Sequence, residues 1–111
     1  QQARADLGAW LPKYLSSLPR PPTALRLRAL SSLWGSLSPG DAVSLDLALV
    51  LGRPSAFEYV LVHELCHLLH ADHSPRFWRE VETHWPRWRD ERDYLRDEGL
   101  ALKTTLARLT R

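Results

Sequence analysis

Apolar residues recur at helical spacing through the first eighteen positions. Leu7, Trp10, Leu11, Tyr14, Leu15 and Leu18 predict a helix over residues 1–18. Pro12 lies inside that pattern and breaks or kinks the helix near Leu11. Pro19-Arg20-Pro21-Pro22 then reads as a stiff, extended connector. The period next changes to two, with Leu25 and Leu27 alternating with Arg26 and Arg28, the mark of a strand with one solvated face. Ser38-Pro39-Gly40-Asp41 is a turn, and after it Val43, Leu45, Leu47 and Leu49 share a face against Ser44, Asp46 and Ala48. These two runs are expected to pair as an antiparallel hairpin, with Trp34-Gly35-Ser36 inside or beside the first strand.

Gly52-Arg53-Pro54-Ser55 closes the strand region, and helical periodicity resumes over residues 55–70. Ser74 reads as the N-cap of a further helix with Pro75 in its first turn. Pro86 restarts or kinks that helix, which runs to about Glu98, where Gly99 suits a C-terminal stop. Residues 100–111 form a short last helix or a frayed tail. A helix, a hairpin and then helices make an α+β fold, and 111 residues make one domain. Its parts are a leading helix and Pro-rich connector (1–22), a core (23–99) and a tail (100–111).

Composition narrows the function classes. The chain is 44% hydrophobic and 25% charged, ordinary globular values that exclude wholesale disorder. Its apolar runs are too short to cross a bilayer, so no membrane partner is expected. The single cysteine, Cys66, cannot form an internal disulfide and fits a reducing, cytoplasmic compartment. It reads as a small core residue. A net charge of +2 supports nucleic-acid binding only weakly. The six arginines of residues 76–98 face seven acids, the pattern of a solvated, salt-bridged helix pair. The basic excess lies in residues 1–53, with six cations against three acids; it reads as a solvent-exposed face, the alternative being a weak contact with an acidic partner. A chain that opens Gln1-Gln2 and lacks methionine reads as an excised domain or processed fragment.

One helix carries chemistry. Around residues 55–70, Phe57, Leu61, Val62, Leu65, Cys66, Leu68 and Leu69 cover most of the circumference, as in a central, buried helix. His63, Glu64, His67 and His70 interrupt that apolar surface, and buried imidazoles and carboxylates are costly without a partner. His63-Glu64-Leu65-Cys66-His67 is an H-E-x-x-H motif, whose imidazoles at i and i+4 reach one Zn²⁺. Glu64 is turned by about 100° from His63, so it misses the metal but reaches a water beside it as general base. A catalytic zinc needs a third protein ligand, for which His70 and His73 are candidates. Three ligands along one straight helix fit a tetrahedron poorly, whereas the turn before Ser74-Pro75 can swing His73 back; His73 is the preferred ligand. His70 reads as a partly solvated side chain, and Trp34, Trp78, Trp85 and Trp88 mostly as core.

The segment from Tyr59 through His63-Glu64-Leu65-Cys66-His67, followed by His73-Ser74-Pro75-Arg76-Phe77-Trp78, resembles the YgjP-like metallopeptidase family. Ser32-Leu33-Trp34-Gly35-Ser36 upstream and Trp85-Pro86-Arg87-Trp88 through Gly99 downstream extend the likeness over residues 23–99. Leu33, Leu37 and Asp46 depart from the arginine, cysteine and asparagine common there. The resemblance implies a zincin-like fold, a small sheet packed on the H-E-x-x-H helix. It implies one zinc per chain held by His63, His67 and His73, Glu64 as catalytic base, and kinship with SprT-like proteases that act on DNA-bound proteins. Relatives carry an amino-terminal β-rich portion where this chain has residues 1–22, so the chain reads as a minimal catalytic core. The resulting expectation is a zinc metalloendopeptidase acting on protein or peptide substrates. Two alternatives are a non-catalytic zinc-binding scaffold and a DNA-associated protease core targeted by segments outside this chain.

Overall fold

The computed structural model describes residues 2–110; residues 1 and 111, the first of the leading helix and the last of the tail, lie outside it. Helix α1 (Gln2–Trp10) is followed at once by α2 (Pro12–Leu15). Pro12 has no N–H to give to the preceding turn, so the helix breaks there and restarts with proline in its first turn. Leu7 and Tyr14 are buried, and the Trp10 ring meets Phe57 edge-on with centroids 5.2 Å apart. Tyr14 Oη and Lys13 Nζ both donate to Glu58, at 2.5 and 2.6 Å, tying the leading helices to the middle of the molecule.

The sheet corrects the expected hairpin. Its strands are β1 (Ala24–Arg28), β2 (Gly35–Leu37) and β3 (Ala42–Asp46), in the order β1-β3-β2. β1 runs parallel to β3, with Leu25 beside Val43 and Leu27 beside Leu45. β2 is the antiparallel partner, with Gly35 beside Leu45 and Leu37 beside Val43. Trp34-Gly35-Ser36 therefore belongs to the far edge and not to the first strand. The turn Ser38–Asp41 does make a hairpin, but it joins β2 to β3: Asp41 N donates to Ser38 O at 2.9 Å, and Asp41 takes φ 63°. Alternation of leucines reveals a strand, not its neighbour. Residues 29–34 then arch over the end of β3 to carry the chain from one edge to the other.

β3 also ends earlier than its alternation suggests. The Asp46 carboxylate accepts from Ala48 N at 3.1 Å and turns Leu47–Leu51 into a 3₁₀ helix. Helix α3 (Pro54–Cys66) is central: nine of its thirteen residues are buried, and its apolar surface packs against the sheet and the later helices. It stops at Cys66 instead of reaching residue 70, through short i→i−3 bonds such as His67 N to Glu64 O at 3.1 Å. Helix α4 (Pro75–His84) starts on Ser74, whose Oγ accepts from Phe77 N. Helix α5 (Trp88–Leu109) follows Pro86 and runs straight through Gly99, so the expected stop is absent, and the segment read as a short last helix or a frayed tail continues the same helix to Leu109. Gly99 has a packing reason instead: a Cβ there would lie 2.6 Å from Trp34 Cζ2.

Candidate metal centre

The early end of α3 shapes the centre. His63 and His67 project from the last turns of the helix on one side. Because the chain leaves helical geometry at His67, residues 68–74 curl back and Ser74 launches α4 in a new direction. His73, the residue before that cap, comes to rest against the helical pair. One ligand atom from each of His63, His67 and His73 lies within 4.8 Å of the other two. The ring centroids are 5.2 Å (63 to 67), 5.4 Å (63 to 73) and 4.8 Å (67 to 73) apart. Three convergent imidazoles suit a zinc-class transition ion and leave a coordination position open.

His70 is not in that cluster, and its carbonyl does something else. His67 Nδ1 lies 3.0 Å from His70 O. A carbonyl only accepts, so Nδ1 carries the proton and Nε2 is left as the free donor atom. His63 Nδ1 faces Tyr59 Oη at 3.4 Å. Phe77, fully buried, stacks on His67 at 4.4 Å and 19°, and Trp78 stacks on His73 at 5.9 Å. Burial, with His67 and His73 close by, pushes His63 down to about 4, and burial chiefly pushes His67 down as well. Neutral imidazole is the form that binds metal.

Glu64 is 6% exposed, and burial lifts its carboxyl to about 7. Gly35, a residue without a role in the sequence reading, decides where that carboxyl can sit. A Cβ on Gly35 would lie 2.8 Å from Glu64 Cγ and 3.0 Å from Oε2, so only glycine lets the β2 backbone pass this close. The available signals were an isolated glycine in a strand and its place in the Ser32–Ser36 segment of the family likeness.

The cluster lies at the middle of a cleft. To one side is a recess of about 570 Å³, walled by Trp34, Tyr59, Val60, Trp78 and Leu95. To the other is a recess of about 470 Å³ beside Arg20, Leu37, Ser38 and Asp41. Glu64, His67 and His73 line both. Trp34 and Trp78 thus border the cleft, whereas Trp88 is buried as expected. Cys66 is buried, and burial raises its thiol to about 12, which makes it an inert core residue. Among the described residues, no helix is long and apolar enough to cross a membrane.

Comparison with known proteins agrees with this architecture. Among curated proteins none matches the sequence. The crystal structure of the metallopeptidase zymogen of Pyrococcus abyssi abylysin superposes with a TM-score of 0.72 at 28% identity, over 83% of this chain and 93% of that one. A family model described as YgjP-like, metallopeptidase domain, matches residues 1–98. It takes in the leading helices that the likeness over residues 23–99 left out. With an H-E-x-x-H helix, a convergent histidine triad and a match over most of its length, the chain belongs to the YgjP-like metallopeptidase family.

Proposed function

We propose that this chain is a zinc-dependent endopeptidase domain that holds one ion at His63, His67 and His73 and cleaves extended protein or peptide substrates. The observation that carries the reading is the meeting of three imidazoles and one buried carboxylate, Glu64, in a cleft open on both sides. A purely structural site needs no base and is usually closed by four protein ligands. Room on both sides of the cluster suits a substrate that continues past the scissile bond in each direction.

When bound, the ion supplies Lewis acidity, which activates water near neutral pH and polarises a carbonyl. The chain's own residues do the rest. β2 is an edge strand of the sheet, so an extended substrate can pair with its free backbone groups and lie across Glu64. The Glu64 carboxylate takes a proton from the attacking water and returns it to the leaving amide nitrogen, acting first as base and then as acid. The His70 carbonyl fixes the tautomer and orientation of His67, and Phe77 fixes its plane.

The test compares wild type with Glu64→Gln, measuring zinc content and cleavage of unfolded casein. One zinc per chain in both, with cleavage lowered by about 10³-fold in the variant, is the expected result. Stoichiometric zinc without cleavage in the wild type would turn the reading to a non-catalytic zinc-binding domain. Failure to bind zinc after reconstitution would remove the metal site itself.

A further inference from the structure

The wall of the larger recess is held in place by residues beyond the family match. Trp34, at the end of the arch over β3, is held from two directions. Gly99 on α5 offers no side chain, and the indole occupies the place a Cβ would need, 2.6 Å from Cζ2. Lys103, one helical turn further, sets its ammonium 4.4 Å from the Trp34 ring centroid. The three donors of that ammonium are all used: Leu30 O at 2.8 Å, Leu33 O at 2.9 Å, and the Asp46 carboxylate. Asp46 is 1% exposed and also accepts from Leu30 N and Ala48 N. Lys103 therefore closes the arch at both ends against the tip of β3, and the match to the family ends at residue 98.

The recess this creates has a definite chemistry. Trp34, Tyr59, Val60, Trp78 and Leu95 give it aromatic and aliphatic walls. The two cations at its rim are engaged: Arg96 with Asp93 and Asp97 at 3.2 and 3.1 Å, Arg92 over the Trp88 ring at 5.0 Å. Both cations are turned to partners at the rim, so the walls themselves are apolar. Glu64, His63, His67 and His73 line it as well, so its apolar walls adjoin the metal cluster.

We propose that Trp34 is a specificity-determining residue, walling a recess that takes one bulky apolar substrate side chain next to the scissile bond, and that Lys103 is the positioning residue that fixes it. This rests on the peptidase reading above and names the substrate class of the same cleft. Lys103 touches neither the metal cluster nor Glu64, so its effect is on which substrates bind and not on the proton chemistry.

Two variants test it in the zinc-loaded protein. Lys103→Met keeps the aliphatic stem and removes the donors. Gly99→Ala displaces the indole while leaving the ion pair intact, and alanine is the better helix former, so a loss there is not a loss of helix. Casein cleavage sites are mapped by mass spectrometry, and binding of acetyl-phenylalaninamide and acetyl-alaninamide is titrated by NMR. In the wild type, large apolar residues are expected at one fixed position relative to the cut, with the phenylalanine compound bound about tenfold more tightly. In both variants that ratio falls below about threefold, and KM for a phenylalanine-containing peptide rises about tenfold while kcat stays within about twofold. Equal binding of the two amides by the wild type, or unchanged discrimination in both variants, would overturn the proposal. Intact discrimination in a wild type that cuts nothing would uphold the recess and overturn the peptidase reading.

Discussion

Glu64 and Gly35 form a unit that neither residue reveals alone. The carboxyl is buried and lifted to about 7, and it fits because the facing strand has no side chain at Gly35. Gly35→Ala forces Glu64 aside, and under the proposed role of Glu64 as base a displacement of about 1 Å costs on the order of 10²-fold in rate. The expected result is a loss of that size in kcat/KM on casein, with zinc content unchanged. Cys66 gives a second residue-scale expectation. Its thiol is 2% exposed and raised to about 12, so the thiolate is absent through neutral and mildly alkaline pH. Iodoacetamide at pH 8 should leave the folded protein unlabelled and label one thiol per chain once guanidinium unfolds it. The i, i+4 histidines and the glutamate between them were legible because helical geometry is local. The glycine was not, because its partner is twenty-nine positions away.

Among the elements, α3 and α4 matter through their ends. α3 stops at Cys66, which frees the His70 carbonyl to hold His67 and lets the chain turn back with His73. Sequence periodicity carries the helix on to residue 70 because Leu68 and Leu69 continue its apolar pattern; tight i→i−3 turns override it. The start of α4 was legible, since Ser74-Pro75 is a local signal. Removing that cap with Ser74→Ala is expected to cost about 1 kcal/mol in urea unfolding. It should also weaken zinc affinity, because His73 immediately precedes the cap; a competition titration against a chromophoric chelator reads this. Unchanged affinity would mean that His73 is held by its own contacts with Trp78 and Phe77.

At the scale of the molecule, Lys103 and Asp46 join the end of the chain to the middle strand. A chain ending at residue 98 loses the Lys103 ammonium and buried Leu106, leaving the Asp46 carboxylate enclosed without its cation. Breaking a buried pair in this way costs about 3–5 kcal/mol, and the urea midpoint of the shortened chain should fall accordingly. The α+β class, the strand at residues 24–28, the turn at 38–41 and the H-E-x-x-H helix follow from the sequence by itself. Each depends on periodicity, caps and turn residues a few positions apart. The parallel pairing of β1, the edge position of β2, the glycines at 35 and 99 and the Lys103 strut were decided only by the tertiary structure. Their causes are contacts between groups dozens of residues apart, which no local pattern encodes.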